Sequence, residues 1–179
     1  MQTSTSAAVP AAKPKRTWLK VLALLIAVAL IGFGYLSLAK RETIPDVTFV
    51  DLQGKKITSQ DLRGKVVMIN FWATSCTTCV KEMPQMVETY NKYKADGLEY
   101  VAVAMAYDPP NYVLNFTETR KLPFIVTLDT QGKLAKSFGD IQLTPTTLVV
   151  NKQGEIIKRY VGEPEFPALH QLLEKALAA

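Results

Sequence analysis

The only two cysteines of the chain, Cys76 and Cys79, stand where two sequence patterns of different period meet. Residues 66–72 form a nearly continuous apolar run with β-branched side chains, which is typical of a strand buried on both faces. From Val80 onward apolar side chains recur at helical spacing, so the pair falls at the start of a predicted helix. Because this spacing covers about one helical turn, the two sulfurs project from one face at a separation that suits a disulfide.

This placement of Cys76 and Cys79 indicates thiol and disulfide exchange. The N-terminus of a helix stabilises an anion at Cys76, and a thiolate is the species that attacks a disulfide. Cys79 can then resolve the mixed disulfide. A passive disulfide is the alternative, but so short a loop would constrain the unfolded chain little. Bound zinc is another, but His170, the only histidine, is far away in sequence and zinc usually takes four ligands. We therefore expect a redox-active disulfide and no metal or other cofactor.

A second feature is a stretch of nineteen uncharged residues, 21–39, which is long enough to cross a bilayer as a helix. Four basic residues precede it and two follow it, so we expect the N-terminus in the cytoplasm and the rest of the chain outside. The alternative is a cleaved signal peptide, since residues 37–39 offer small side chains ahead of Lys40. Both interpretations export the cysteine pair to a compartment where disulfides persist.

The charge distribution separates the N-terminal segment from the rest. The net charge is +5, yet residues 1–41 hold six of the 21 basic residues and none of the 16 acidic ones. The remainder is nearly neutral, so we exclude nucleic acid as a partner. We predict a disordered cytoplasmic tail at 1–17, a transmembrane signal-anchor helix at 18–39, a tether at 40–46 and a folded domain at 47–179.

The folded part alternates between strand and helix patterns, and this alternation predicts a mixed central sheet covered on both faces. A hairpin is expected at its beginning, and a second hairpin followed by a helix at its end. The predicted elements are a hairpin at 48–58, strands at 66–71, 98–106 and 124–128, helices at 80–97, 111–121 and 134–138, a hairpin at 146–161 and a helix at 169–178.

The run Asn70–Cys79, read with Leu143-Thr144-Pro145-Thr146-Thr147, resembles the thioredoxin superfamily, and within it the membrane-anchored TlpA and ResA group. The similarity extends over residues 44–177. It implies an α/β thioredoxin-like fold, with a mixed central sheet flanked by helices, an added N-terminal β-hairpin and a central helix–strand insertion. It also implies that Cys76 is the exposed nucleophile and Cys79 the buried resolving thiol.

Pro145 matches the cis-proline that this family places opposite its redox pair. Cis peptide bonds are essentially confined to prolines, and one here would expose the backbone of Thr144 for pairing with an extended substrate. The alternative is an ordinary trans proline at the start of a strand. We predict the cis form, with Thr144 and Pro145 binding substrate.

Glu82 lies three residues after Cys79 and so beside it on a helix. An acid at this place is linked to the redox site in the resembling group, and it could exchange protons with Cys79 while raising the thiol pKa values. The alternative is an acid in the first turn that complements the helix dipole. Asn70 stands where thioredoxins carry a buried acid, and an amide cannot carry a proton between groups.

Trp72 and Ser75 complete the predicted substrate-binding residues. Trp72 ends the strand that leads into the site and packs either beside the sulfurs or in the core. Ser75 stands where relatives usually have tryptophan, and Thr77-Thr78 lacks the proline common between the cysteines. These departures change the surface that a substrate meets and the environment of the thiols.

The resemblance implies a reductase, because the TlpA and ResA group mostly keeps client cysteines reduced for cytochrome c haem attachment or for assembly of an oxidase copper site. Glu82 favours this direction, since higher thiol pKa values make the dithiol a stronger reductant. We expect the partners to be exported clients, an apocytochrome c or an oxidase copper-site protein, and a separate membrane electron donor. The expected location is the inner membrane, single-pass, with the catalytic domain on the periplasmic or extracytoplasmic side.

Two other functions use the same sulfurs. Two thiolates could pass Cu(I) to a client, as in a metallochaperone. A peroxide-reducing enzyme of the same fold would need a proline, threonine and cysteine spacing that this chain lacks, because Ala73 and Cys76 occupy the positions three before Cys76 and Cys79.

Overall fold

The structure is a computed structural model that describes residues 17–38 and 42–179. The chain divides into two compact units, Met1–Lys40 and Arg41–Ala179. In the first unit the described part is helix α1, Thr17–Leu38. Within the described residues no helix is both long and apolar enough to cross a membrane, so the predicted transmembrane segment is not confirmed. The predicted tail, apart from its last residue, lies outside the described residues.

The second unit begins earlier than the sequence patterns indicate. We expected a tether at 40–46, of which residues 40 and 41 lie outside the described residues. From Glu42 onward the chain is attached to the fold: Thr43 forms a β-bridge with Glu155, and the Ile44 amide donates to the Gly154 carbonyl at 2.9 Å. Ile44 is also buried. No local pattern reveals this pairing, because the partner lies more than a hundred residues later in the sequence.

A central sheet of five strands forms the second unit, in the order β5-β4-β3-β6-β7. Strand β3 lies in the middle, parallel to β4 and antiparallel to β6, which confirms the predicted mixed sheet. A separate antiparallel pair, β1-β2, is the predicted N-terminal hairpin. The strands are β1 Thr48–Val50, β2 Lys56–Thr58, β3 Val66–Trp72, β4 Leu98–Ala104, β5 Ile125–Leu128, β6 Thr146–Val150 and β7 Ile156–Val161.

Four helices of the second unit cover the sheet, and they divide the core into two clusters. One cluster contains buried side chains of α2, α3 and α5, and the other those of α4 and the hairpin. Helix α3 with strand β5 is the helix–strand segment predicted between the two halves of the domain. The helices are α2 Thr77–Tyr93, α3 Pro110–Arg120, α4 Lys133–Ser137 and α5 Phe166–Ala178.

Strand β3 connects the two clusters because its side chains alternate between them. Met68 and Trp72 contribute to the cluster under α2, whereas Ile69 and Phe71 contribute to the cluster on the opposite face. Every residue of β3 is buried, as expected for a strand covered on both faces. The carboxyl end of β3 is therefore held firmly, and the cysteine pair follows it directly.

Substitution at the centre of this sheet should be costly. Leu148 on β6 is fully buried, so Leu148→Ala should lower the free energy of unfolding by about 2–5 kcal/mol, because the truncated side chain leaves a cavity. The matched change Leu114→Ala on α3, where the side chain is 43% exposed, should alter it by less than about 1 kcal/mol. Urea unfolding of the oxidised protein measures both. Equal losses for the two variants would contradict the assigned burial.

Candidate active site

Cys76 and Cys79 form a disulfide at the start of α2, with their Cα atoms 5.2 Å apart. Cys76 is the N-cap residue of the helix and is half-buried, whereas Cys79 lies within the first turn and has no exposed surface. An incoming sulfur can therefore approach Cys76 but not Cys79. This placement agrees with the roles of nucleophile and resolving thiol, which stay predictions.

The chain reaches the helix through a short turn after β3. The amide of Cys76 donates to the carbonyl of Ala73 at 3.1 Å, which closes this turn. The amide of Cys79 donates to the sulfur of Cys76 at 3.2 Å, so a free N–H of the first helical turn is directed at that atom. Donors of this kind stabilise a thiolate, because they favour the charged form of the sulfur.

Asp108, in the loop after β4, holds the same turn from the other side. It is buried, and its carboxylate accepts two hydrogen bonds of 2.6 Å from Thr74, one from the backbone amide and one from the hydroxyl. Sequence reasoning missed Asp108, since nothing local relates it to a residue thirty-four positions earlier. It fixes the segment that carries Cys76 relative to β4.

Glu82 is almost completely buried under α2, with 1% of its surface exposed. Its pKa is raised to about 8, mainly by burial and also by the negative charge of Glu163, while a hydrogen bond from Asn70 opposes the shift. Glu163 lies at the surface, where it pairs with Lys81 at 2.9 Å. The carboxyl is thus largely protonated at neutral pH. The interpretation of Glu82 as a first-turn acid that complements the helix dipole is wrong, because the first turn of α2 contains no acid.

Asn70 connects Glu82 to the neighbouring strand. Its side-chain amide donates to Oγ1 of Thr147 on β6 at 2.9 Å and to Oε1 of Glu82 at 3.4 Å. The second carboxyl oxygen, Oε2, has no hydrogen-bond partner among the described residues. One long hydrogen bond offsets little of the cost of burying a charge, so the neutral carboxyl is favoured.

Trp72 has no exposed surface and packs against Phe116, with ring centroids 5.2 Å apart. The core interpretation of this residue is therefore correct. A side chain without exposed surface cannot touch a client directly, so the predicted place of Trp72 among the substrate-binding residues does not hold in this structure. The prediction failed because the last residue of β3 alternates inward, toward α2 and α3.

Pro145 follows a cis peptide bond to Thr144, as predicted. Because Phe71 on β3 pairs with Thr146 on β6, continuing the register puts Thr144 and Pro145 beside the end of β3 and the turn before Cys76. Ser75 is exposed in that turn. These three predicted residues therefore lie around the half-buried sulfur.

Tyr107 and Leu143 also lie at this edge of the sheet, and sequence reasoning missed both. The hydroxyls of Tyr107 and Thr144 are 3.2 Å apart, which connects the loop after β4 to the loop before β6. Leu143, the neighbour of Thr144, is 64% exposed. No local sequence pattern indicates that a tyrosine or a leucine in a loop lies beside the cysteine pair.

Among the described residues, no group of three or more His, Cys, Asp and Glu side chains is placed to hold a metal ion. Binding of Cu(I) by two thiolates needs no such group, so that alternative stays a prediction.

The free energy of unfolding of Glu82→Gln should exceed that of the wild type by an amount that increases as pH rises. Below pH 4.5 the carboxyl is protonated in both states, but between about 4.5 and 8 the unfolded chain releases this proton while the folded protein keeps it. Unfolding of the wild type is therefore favoured increasingly across this window, and the glutamine removes this effect. The variant should gain roughly 2–5 kcal/mol over the wild type by pH 8.

Urea unfolding of the oxidised proteins at several pH values measures this difference. Glu88→Gln, the same substitution at an exposed position of α2, is the control and should follow the wild type. A gap between wild type and Glu82→Gln that stays constant from pH 4.5 to 8 would contradict the raised pKa of Glu82.

Comparison with known proteins agrees with this fold and site. Residues 39–173 match the Redoxin family. The thiol-disulfide oxidoreductase ResA of Bacillus cereus (strain ATCC 10987 / NRS 248) is 38% identical over 171 residues, covering 91% of this chain and 98% of the relative. ResA of Bacillus subtilis (strain 168) is 30% identical over 169 residues, covering 90% and 93%.

A solved structure is similar as well. The crystal structure of a thiol:disulfide interchange protein of the thioredoxin family from Chlorobium tepidum TLS superposes with a TM-score of 0.71 at 26% identity, covering 78% of this chain and 98% of that one. The fold, the position of the cysteine pair and these similarities agree. The chain therefore belongs to the Redoxin family, as a thiol-disulfide oxidoreductase of the ResA type.

Proposed function

We propose that this protein reduces disulfides in exported client proteins. The observation that carries the proposal is the asymmetry of the pair: a half-exposed sulfur at a helix N-terminus and a completely buried one in the first turn after it. Such an arrangement allows an attack on a client by Cys76 only, followed by an internal attack by Cys79. Glu82 and the resemblance to the TlpA and ResA group support reduction as the direction of the reaction.

The reaction balances as an exchange of two electrons and two protons. In the dithiol form, the Cys76 thiolate attacks one sulfur of the client disulfide, and the other client sulfur leaves as a thiolate that takes up a proton. Cys79 then loses its proton and attacks the Cys76 sulfur, which releases the second client sulfur as a thiolate that takes up a proton in turn. The client ends as a dithiol, and the protein ends with the Cys76–Cys79 disulfide.

Glu82 supplies a group that can exchange a proton with Cys79, because the fraction of its carboxyl that is ionised near neutral pH can accept that proton. Its pKa of about 8 is close to the ordinary pKa of a thiol, and proton transfer is efficient between groups whose pKa values are matched. The position of Glu82 one turn after Cys79 in α2 supports this role. An ionised Glu82 also opposes a thiolate nearby, which favours the disulfide form of the pair and makes the dithiol a stronger reductant.

The clients that we propose carry cysteines needed for haem attachment to cytochrome c or for assembly of an oxidase copper site. The TlpA and ResA resemblance supports this choice. After each cycle the pair must be reduced again, and the chain contains no further cysteine to pass electrons onward. We therefore also propose a separate membrane protein as electron donor.

Cys79→Ser should trap clients on Cys76. The substitution removes the resolving thiol, so the mixed disulfide formed by the first attack accumulates. Non-reducing electrophoresis should then show slower-migrating species that disappear with dithiothreitol, and mass spectrometry of these species identifies the clients. Cys76→Ser, which removes the nucleophile, is the matched control and should show none. Equal trapping by both variants would contradict the assigned roles.

The apolar stretch 21–39 supports a proposed location at the inner membrane, with the catalytic unit on the periplasmic or extracytoplasmic side. This proposal rests on the sequence. The protein should stay in the membrane fraction after washing with alkaline carbonate, and protease added to spheroplasts should digest the unit containing the cysteine pair. A variant with Leu25→Arg and Ile26→Arg should move to the soluble fraction or fail to be exported. Wild-type protein found in the cytosol would contradict the location.

A further inference from the structure

Three loops meet around the half-exposed sulfur, and we call them the mouth of the site: residues 73–78, 105–107 and 141–145. They follow β3, follow β4 and precede β6, so the sheet register brings them to one edge. Two sets of hydrogen bonds connect them. Asp108, the residue after the second loop, accepts two hydrogen bonds from Thr74 of the first loop, and the hydroxyls of Tyr107 and Thr144 join the second loop to the third.

The mouth contains no charged residue, although 21% of the chain is charged. Two acids adjoin the mouth in the sequence: Asp108 is buried and occupied by Thr74, whereas Asp140 is exposed and accepts a hydrogen bond from the side chain of Gln142. Lys81, on α2 beyond the mouth, pairs with Glu163. An acidic side chain of a client would therefore find no opposite charge in the mouth to replace its lost hydration.

Two large side chains of the mouth are exposed. Tyr107 is 58% exposed and Leu143 is 64% exposed. Both lie next to Thr144: the hydroxyl of Tyr107 is within hydrogen-bond distance of the Thr144 hydroxyl, and Leu143 directly precedes Thr144 in the sequence. Aromatic side chains of this kind offer a large apolar surface with little conformational entropy to lose on binding, and an exposed leucine gains from being covered.

We propose that Tyr107 and Leu143 select clients whose reactive cysteine is adjacent to an apolar or aromatic residue. The inference rests on the proposed function, because the occupant is the extended client segment that carries the disulfide attacked by Cys76. That segment must lie across the mouth to bring its sulfur to Cys76. The neighbouring client residue then packs between the tyrosine ring and the leucine, in a surrounding without a cation that penalises Glu and Asp.

Two synthetic peptides test this selection. Each contains one intramolecular disulfide, and they differ only in the residue before the first cysteine, which is Phe in one and Glu in the other. The reduced full-length protein is mixed with each peptide at pH 7, and the appearance of peptide dithiol is followed by quenching and chromatography. Each rate is divided by that of the same protein with 2-hydroxyethyl disulfide, so any change in thiol reactivity cancels. We expect the Phe peptide to react about tenfold faster than the Glu peptide.

Variants assign the selection to the two side chains. Tyr107→Ala and Leu143→Ser should each reduce the rate ratio to about threefold or less, whereas Tyr107→Phe should keep it, because the ring remains. Tyr112→Ala is the matched control, since Tyr112 is equally exposed, at 59%, but lies on α3 outside the mouth. It should keep the wild-type ratio.

The outcomes separate this inference from the proposed function. Equal rates for the two peptides with the wild type, or an equal loss of selectivity in Tyr112→Ala, would overturn the role of Tyr107 and Leu143 while leaving disulfide reduction intact. No reaction with either peptide or with 2-hydroxyethyl disulfide would instead contradict the proposed function itself.

Discussion

Burial of β3 on both faces is the constraint on which the site depends. The strand lies in the middle of the sheet, and its side chains enter one core cluster and then the other along its length. A strand held in this way cannot shift its register without exposing apolar side chains of both cores. Its carboxyl end therefore delivers Cys76 to a fixed point, where α2 begins and its free amides meet the sulfur.

Burial of β3 also determines the environment of Glu82. The same face of β3 that packs against α2 carries Asn70, which is the only described hydrogen-bond partner of the Glu82 carboxyl. A buried carboxyl with so little compensation prefers its neutral form, and this preference reduces stability at neutral pH. An apolar residue would fill this place at lower cost, so packing does not account for the acid, whereas the proton transfer that we propose for it would.

Local patterns were sufficient for most of the elements and for the core of the site. The hairpin β1-β2, the strands of the central sheet and the helix after Cys76 all have periodicities that a short window displays. The errors have physical causes. The tether predicted at 40–46 is attached to the fold from Glu42 onward, which no local pattern shows because the partner residues are remote in sequence. The prediction of Trp72 as a substrate-binding residue fails because the sequence does not tell which face of a strand end is covered. The transmembrane segment stays a prediction from hydropathy.

The sequence by itself indicated the redox chemistry, through two cysteines three residues apart at the start of a helix, and it determined the place of Thr144 and Pro145 through the family pattern. Only the tertiary structure decided which groups surround the sulfur. Asp108, Tyr107 and Leu143 reach the site through loops brought together by strand pairing, and the raised pKa of Glu82 follows from burial beneath a helix. Burial and contacts between distant loops are properties of the packed chain, because each depends on residues that no local window contains together.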